Sequence, residues 1–226
     1  KVETKTGKPQ VAYKETIKES ARAEGRFVKQ FGGRGQYGVV VIEVEPGERG
    51  SGFAFVDKIK QAAIPKEYIP AAKAGIEEAL RRGVLASYPL VDIKVTLVDG
   101  SYHDVDSSDM AFKMAGSLAI KEAVRRAKPT LLEPIMKLEV FVPEQFLGDI
   151  LGDIDGRRAR IEDIKSTEDY REIRAFVPLG ETFGYTTVIR SLSQGKATHS
   201  MEFDHYQEVP SSVLEQIATK AKGRVI

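Results

Sequence analysis

The chain has 226 residues, of which 42% are hydrophobic and 30% charged, and this composition indicates one or two ordinary globular domains. It has no cysteine, which excludes disulfides and thiolate metal sites. The formal net charge is +1, with 22 Lys/Arg against 17 Asp/Glu up to Lys128 and 12 against 16 afterwards. Charge by itself therefore favours a solvated surface over a nucleic-acid-binding one.

No apolar run approaches the roughly 18 residues that a membrane-spanning helix needs. The N-terminal residues carry charges where a signal peptide would have an apolar core. We therefore expect a cytoplasmic protein with no membrane partner. Because Lys1 is not a natural first residue, we also expect the chain to be a fragment.

The first half of the chain mixes predicted strands and helices. Alternation over residues 25–30 and β-branched residues over 37–45 predict a hairpin, joined by a glycine-rich loop. A helix is predicted over residues 65–82, ended by Gly83, with Pro70 kinking it or delaying its start.

A strand over residues 89–98 and a second helix are predicted to follow. Asp99–Gly100 is expected to end the strand, and the polar loop 101–106 leads to a helix capped by Ser107 or Asp106. The residues of that helix expected to face the core are Met114, Leu118 and Ala119.

The second half has a regular order of elements after the prolines at 129 and 134. Strands are predicted over residues 136–142, 160–165, 170–177 and 197–206, and helices over 144–155 and 181–192. This β-α-β-β-α-β order is that of a ferredoxin-like domain. A short terminal helix is predicted to begin near Pro210.

The glycine-rich loop of the predicted hairpin resembles a phosphate-binding motif, with Gly33, Gly35, Gly38 and Val40 in the pattern G-x-G-x-x-G-x-V. A dinucleotide-binding loop must lead from a strand into a helix, and this loop leads into a strand, so that interpretation fails. A kinase loop is a hairpin, but the Val-Ala-Ile-Lys, His-Arg-Asp and Asp-Phe-Gly motifs that must accompany it are missing. An independent nucleotide-dependent enzyme is therefore the least favoured function.

Two interpretations of this loop stay open. Glycines suit a simple hairpin turn. They would also let the backbone approach RNA, with Arg34 binding phosphate, Gln36 contacting a base or sugar edge and Tyr37 stacking.

A second candidate surface is the turn formed by Arg190–Lys196. It has the pattern of a helix end with Gly195 at the C′ position. It also concentrates one arginine, one lysine, two hydroxyls and an amide, a set suited to an RNA backbone.

The residues that could bind a metal are scattered. His103 is a lone histidine in a polar loop, and packing explains His199 and His205, placed on one face of the last strand, better than ligation does. The acidic residues at positions 149, 153 and 155 fit a solvated helix face and lack the pattern of an EF-hand. We predict no metal site and no catalytic residue.

Read together, ten short segments closely resemble elongation factor G of the bacterial type, and they span nearly the whole chain. They are Gly7–Ile17, Gly32–Gly38, Arg49–Phe53, Ile64–Pro70, Val91–Leu97, Asp99–Ser108, Leu132–Met136, Phe183–Tyr185, Arg190–Gly195 and Phe203–Pro210. The sequence departs from the family's commoner Ala-Thr-Asp-Leu at Thr186–Ile189.

The resemblance implies an α+β fold in two domains. Residues 1–12 would be the end of a preceding domain, and 13–128 the family's fourth domain, an elongated, ribosomal-protein-like α/β arm with a left-handed βαβ crossover. Residues 129–210 would be the ferredoxin-like fifth domain, and 211–226 a C-terminal helix and tail.

The resemblance also implies partners and surfaces. The arm's tip would enter the small-subunit decoding region and contact the tRNA–mRNA module. The fifth domain would face the large subunit near the sarcin–ricin loop through Arg190, Ser191 and Gln194. The expected tip residues are Gly33, Arg34, Gly35, Gln36, Tyr37, Gly38, Ser101, Tyr102, His103 and Asp104.

By this resemblance the chain would be a monomer that promotes translocation on the ribosome. It would have no cofactor, since GTP and Mg²⁺ would bind an absent N-terminal GTPase domain, and the chain itself would not be an enzyme. The alternatives are a ribosome-recycling or other paralogue, and a module whose acidic second half docks basic ribosomal proteins.

Overall fold

The computed structural model describes residues 10–29 and 35–222, apart from the side chains of Lys220 and Lys222. Within them the chain is α+β, as predicted, and falls into two compact units. The first unit comprises residues 13–132 and 208–222, and the second comprises 10–12 and 133–207, in each case within the described ranges.

The first unit is built on a four-stranded sheet in the order β2–β3–β5–β4. Its strands are β2 (Ala21–Lys29), β3 (Gln36–Pro46), β4 (Phe53–Asp57) and β5 (Ile93–Ser101). The strands β2, β3 and β5 pair antiparallel, and β4 pairs parallel with β5. Val40, Ile42 and Val44 of β3 are 0% exposed because alternate side chains of a strand point to the same face.

Two helices pack in this unit, α1 (Ile69–Arg82) and α2 (Asp109–Arg126). Pro70 lies at the start of α1, where a missing N–H costs nothing, so it delays the helix as predicted. Gly83 ends α1 with a φ of +73°. The core of the unit joins side chains from the sheet and both helices, among them Ile42, Leu97, Ile76 and Phe112.

Short peripheral elements complete the first unit. Strand β1 (Lys14–Ile17) pairs antiparallel with residues 129–132, the first part of the long strand β6 (Pro129–Pro143). The terminal helix α5 (Ser211–Lys222) contributes Val213, Leu214 and Ile217 to a small cluster around Leu131 and Val209.

The second unit has the ferredoxin-like order that the sequence predicts. Its strands are the rest of β6, β7 (Arg160–Ser166), β8 (Tyr170–Pro178) and β9 (Thr198–Glu208), and its helices are α3 (Leu147–Gly156) and α4 (Tyr185–Leu192). They form a sheet in the order β9–β6–β8–β7, with β8 antiparallel to β6 and β7. Leu138, Val140, Ile150, Ile173 and Ile189 are among its core residues.

Three local predictions for the first unit are wrong. Asp99–Gly100 does not end β5, because a bulge lets the ladder pass from Ile42↔Leu97 to Val41↔Asp99 and on to Ser101. The cap of α2 is Ser108, whose hydroxyl accepts the N–H of Ala111 at 3.2 Å. Met114 and Leu118 are 38% and 40% exposed, because α2 packs through a neighbouring face of small residues.

Candidate nucleic-acid interface

The tip of the first unit is formed by the end of the β2–β3 hairpin and the loop between β5 and α2. Gly33 and Arg34 lie outside the described residues, whereas the other predicted tip positions are described. The N–H of Gly35 donates to Asp106 Oδ1 at 2.9 Å, and the N–H of Tyr37 donates to the Asp106 carbonyl at 2.8 Å. The structure therefore brings together two loops about 70 positions apart in the chain.

Two serines reinforce this junction. Ser107 Oγ donates to the Tyr37 carbonyl at 2.9 Å and accepts the N–H of His103 at 2.9 Å. Ser108 Oγ donates to Gln36 Oε1 at 2.8 Å. We call Asp106, Ser107 and Ser108 the tip latch, because each holds one of the residues 35–37. The sequence analysis missed their role, although three consecutive hydrogen-bonding residues before a helix are the available signal.

His103 is the most exposed titratable side chain that the latch positions, with 54% of its side chain accessible. Its Nδ1 accepts the N–H groups of Val105 and Asp106, both at 3.3 Å. In the neutral ring Nδ1 is therefore the acceptor, and Nε2 carries the proton. His103 can thus offer an Nε2–H donor to an oxygen of a partner.

The other predicted tip residues divide into constrained and exposed groups. Tyr37 Oη pairs with Ser101 Oγ at 3.1 Å, and its ring centroid lies 6.2 Å from that of His103. Gly38 is needed for packing, because a Cβ there would lie 3.0 Å from the Ala111 carbonyl oxygen. Tyr102 and Asp104 are exposed. The surface available to a partner therefore includes Tyr102, His103 and Asp104, while Tyr37 supports it.

The turn after α4 in the second unit also has a fixed backbone. The N–H of Gly195 donates to the Arg190 carbonyl at 2.8 Å, with φ of +53° at Gln194 and +79° at Gly195. The left-handed stretch thus begins at Gln194, one residue before the predicted Gly195, because the helix cap is Ser193. Arg190, Ser191 and Gln194 are exposed.

One of the two hydroxyls predicted for this turn is not available to a partner. Ser193 is 0% exposed, and its Oγ donates to the Ile189 carbonyl at 2.7 Å while accepting the N–H of Ala197 at 3.0 Å. Ser193 therefore joins α4 to the start of β9, and Ser191 is the hydroxyl that remains on the surface.

The histidines of β9 lie on opposite faces of its sheet, so the prediction of one shared face is wrong. His199 contacts the ring of Tyr185 in α4, at 5.2 Å between centroids. His205 contacts Phe176, at 6.0 Å, and Phe176 points away from the helices because its neighbours Ala175 and Val177 are buried. Among the described residues no group of three His, Asp or Glu side chains could hold a metal ion.

Asp153 does not lie on a solvated helix face, contrary to the expectation for the acidic residues of this region. Its carboxylate accepts two hydrogen bonds from the Arg157 guanidinium, at 2.7 and 3.1 Å. Arg157 also lies 4.9 Å from the centroid of the Tyr185 ring. The carboxylate is thus used in packing α3 against α4.

His199 should make stability depend on pH. Its burial, with a smaller contribution from the nearby Arg190, lowers the pKa of His199 below the ordinary value of 6.5. Below pH 6.5 the unfolded chain therefore binds this proton more readily than the folded chain, so the free energy of unfolding falls as the pH is lowered. We expect His199→Phe to flatten the urea-unfolding midpoint between about pH 7.5 and 5.5. His205→Phe is the matched control, and an equal pH slope in wild type and His199→Phe would contradict this assignment.

Comparison with known proteins now identifies the family. The family described as elongation factor G, domain IV, matches residues 9–128, and the one described as elongation factor G C-terminus matches residues 130–217. The chain belongs to the elongation factor G family. Its two matched regions are translation elongation factor domains, and neither is the GTPase domain.

A solved crystal structure of a protein from Thermus thermophilus is similar to this elongation factor G chain over most of its length. The sequences are 40% identical, the TM-score is 0.82, and the match covers 95% of this chain and 32% of that one. This chain thus spans about one third of that protein. No helix in the described part of the chain is long and apolar enough to cross a membrane.

Proposed function

We propose that this chain is the ribosome-binding arm of a translation elongation factor that promotes movement of the tRNA–mRNA module. In this proposal the latched tip enters the decoding region of the small subunit, and the turn at Arg190–Gln194 faces large-subunit RNA near the sarcin–ricin loop. The arm acts as a cytoplasmic monomer without a cofactor. GTP and Mg²⁺ bind a separate GTPase domain of the whole factor.

The observation that carries the proposal is the tip latch. A factor that moves every tRNA must read shape and backbone instead of base sequence. The latch fixes residues 35–37 to the loop of His103 through six hydrogen bonds, so the tip presents its donors on a stiff frame. His103 offers Nε2–H to a phosphate or sugar oxygen, and the exposed rim of the loop prevents a tRNA from slipping back.

The domain limits of the functional parts are also a proposal. We assign residues 13–128 to the arm, 129–210 to the ferredoxin-like domain, 211–226 to the C-terminal helix and tail, and 1–12 to the end of a preceding domain. The continuous strand β6 begins at Pro129, which supports a limit at that position.

The experiment is a single-round translocation assay with the intact factor carrying His103→Ala. A hydrogen bond to a charged oxygen contributes roughly 1.5–3 kcal/mol, so the rate should fall about tenfold or more. His205→Ala, an exposed histidine of the second unit, is the control and should leave the rate unchanged. An unchanged rate in His103→Ala would show that the histidine has no such role. A parallel subunit-splitting assay distinguishes translocation from ribosome recycling.

A second candidate function is docking to basic ribosomal proteins, favoured by β7, every residue of which is exposed. Reversing the charges of Glu162 and Asp163 tests it. Docking predicts lost ribosome binding, whereas RNA recognition by the tip and the Arg190 turn predicts little change.

A further inference from the structure

An open cavity lies at one end of the ferredoxin-like unit. Its volume is about 650 Å³, and it is lined by Pro143, Glu144, Gln145, Asp169, Tyr170 and Lys196. These residues come from the end of β6, the β7–β8 hairpin and the residue that follows Gly195. The volume lies within the roughly 300–1,000 Å³ of small-molecule sites. No function is assigned to this cavity by the tip or by the Arg190 turn.

The walls of the cavity supply a flat ring surface. Pro143 and Tyr170 are directly paired on the last rung of the β6–β8 ladder, so the two rings stand side by side. Tyr170 is 44% exposed, although its backbone carbonyl is used by Thr167 within the hairpin. An aromatic ring held by a strand and open to solvent is a platform on which a planar ligand can stack.

The polar groups of the cavity include two charges that no described residue neutralises. The Glu144 carboxylate forms an ion pair with Arg171. Asp169, in contrast, makes no hydrogen bond or ion pair with another described residue, and among those residues the Lys196 ammonium has only the ring of Phe146, 5.8 Å away. The cavity therefore offers one carboxylate, one ammonium and the Gln145 amide around an aromatic wall.

We propose that this cavity binds a single unstacked nucleotide of RNA, with guanine preferred. The base stacks on Tyr170, and Lys196 contacts the phosphate. A carboxylate is only an acceptor, and guanine presents two adjacent N–H donors, N1–H and the N2 amino group, on its pairing edge. Asp169 would accept both. The inference rests on the proposed function, because Lys196 directly follows the turn that we assign to large-subunit RNA.

The experiment follows binding of nucleoside monophosphates to the ¹⁵N-labelled chain by amide chemical shifts. GMP should give saturable shifts at residues 143–145, 169–170 and 196, and should bind more tightly than AMP, CMP, UMP or ribose 5-phosphate. Tyr170→Ala should weaken GMP binding about five- to hundredfold, and Asp169→Asn should abolish the preference for GMP over AMP. Tyr102→Ala, an exposed tyrosine of the other unit, is the control and should bind GMP normally.

The outcomes separate this inference from the proposed function. Absence of saturable GMP shifts, shifts insensitive to Tyr170→Ala, or equal binding of ribose 5-phosphate would overturn the nucleotide site. If Arg190→Ala weakened ribosome binding of the intact factor while Tyr170→Ala did not, the cavity assignment would fail and the proposed function would stand. Unchanged translocation in His103→Ala contradicts the proposed role of the tip and leaves the nucleotide-binding result untouched.

Discussion

Glu15→Ala is expected to lower the free energy of unfolding by about 3–5 kcal/mol. The Glu15 side chain is 0% exposed, and backbone N–H groups of residues 84–88 surround its carboxylate. Oε2 accepts from Val84 at 2.6 Å and Leu85 at 2.9 Å, and Oε1 accepts from Ala86 at 2.7 Å and Tyr88 at 3.1 Å. Truncation would leave four N–H groups without their acceptor in a site from which water is largely excluded.

The backbone of Glu15 adds to this effect. Its N–H donates to the Pro89 carbonyl at 2.8 Å, and its carbonyl accepts the N–H of Val91 at 2.9 Å. Ser87 within the loop has a φ of +63°, a conformation that costs energy for a residue with a side chain. The carboxylate therefore holds a strained loop that could not keep this shape by local preference.

Urea unfolding of the chain, followed by circular dichroism, measures the loss. Glu24→Ala, at an exposed position of β2, is the control and should change stability by less than about 0.5 kcal/mol. Glu15→Gln should lie between the two, because one oxygen acceptor remains while the amide NH₂ faces N–H donors. Equal stability of Glu15→Ala and Glu24→Ala would rule out the role given to this carboxylate.

The order of elements in the second unit could be predicted from the sequence because each strand alternates clearly and each turn carries glycine or proline. The first unit was harder. Strand β4 has five residues and pairs parallel with β5, and β1 has four, so neither gives a long periodic signal. Asp99–Gly100 predicts a break from local preference, but the bulge opposite Val41 accommodates both residues inside the strand.

Contacts between distant residues set the limit for the site. His103 and the residues 35–37 could be named from their motifs, whereas the latch residue Asp106 acts on Gly35, 71 positions away. Glu15 binds a loop about 70 positions away, and nothing in an alternating strand distinguishes it from a surface glutamate. Such partners become visible only when the chain is folded.

The packing face of α2 was mispredicted for a related reason. Met114 and Leu118 have the spacing of a buried stripe, yet Ala115, Gly116 and Ala119 are the buried residues. Small side chains win here because α1 and β2 approach the backbone of α2 closely. A Cβ on Gly116 would lie 2.4 Å from the Ala72 carbonyl oxygen, and one on Gly25 would lie 2.0 Å from that of Ala115.

This close approach predicts that Gly75→Ala, in the middle of α1, destabilises the chain by about 2–3 kcal/mol. The added Cβ would lie 1.9 Å from the Lys113 carbonyl oxygen, far inside any real contact, and the obstructing atoms belong to the backbone of α2. No side-chain rotation can relieve the clash, so the two helices must separate along their crossing. The cost also has to exceed the roughly 0.5–1 kcal/mol that alanine normally gains over glycine inside a helix.

A second glycine provides the control because it differs only in its surroundings. Gly152 lies inside α3 with nothing within 4 Å of its ideal Cβ position, so Gly152→Ala should raise the free energy of unfolding by about 0.5–1 kcal/mol. Urea unfolding of both variants should therefore give changes of opposite sign for the same chemical substitution. A gain in stability at Gly75 would mean that α1 and α2 do not cross at backbone contact, and the account of why Met114 and Leu118 remain on the surface would have to be abandoned with it.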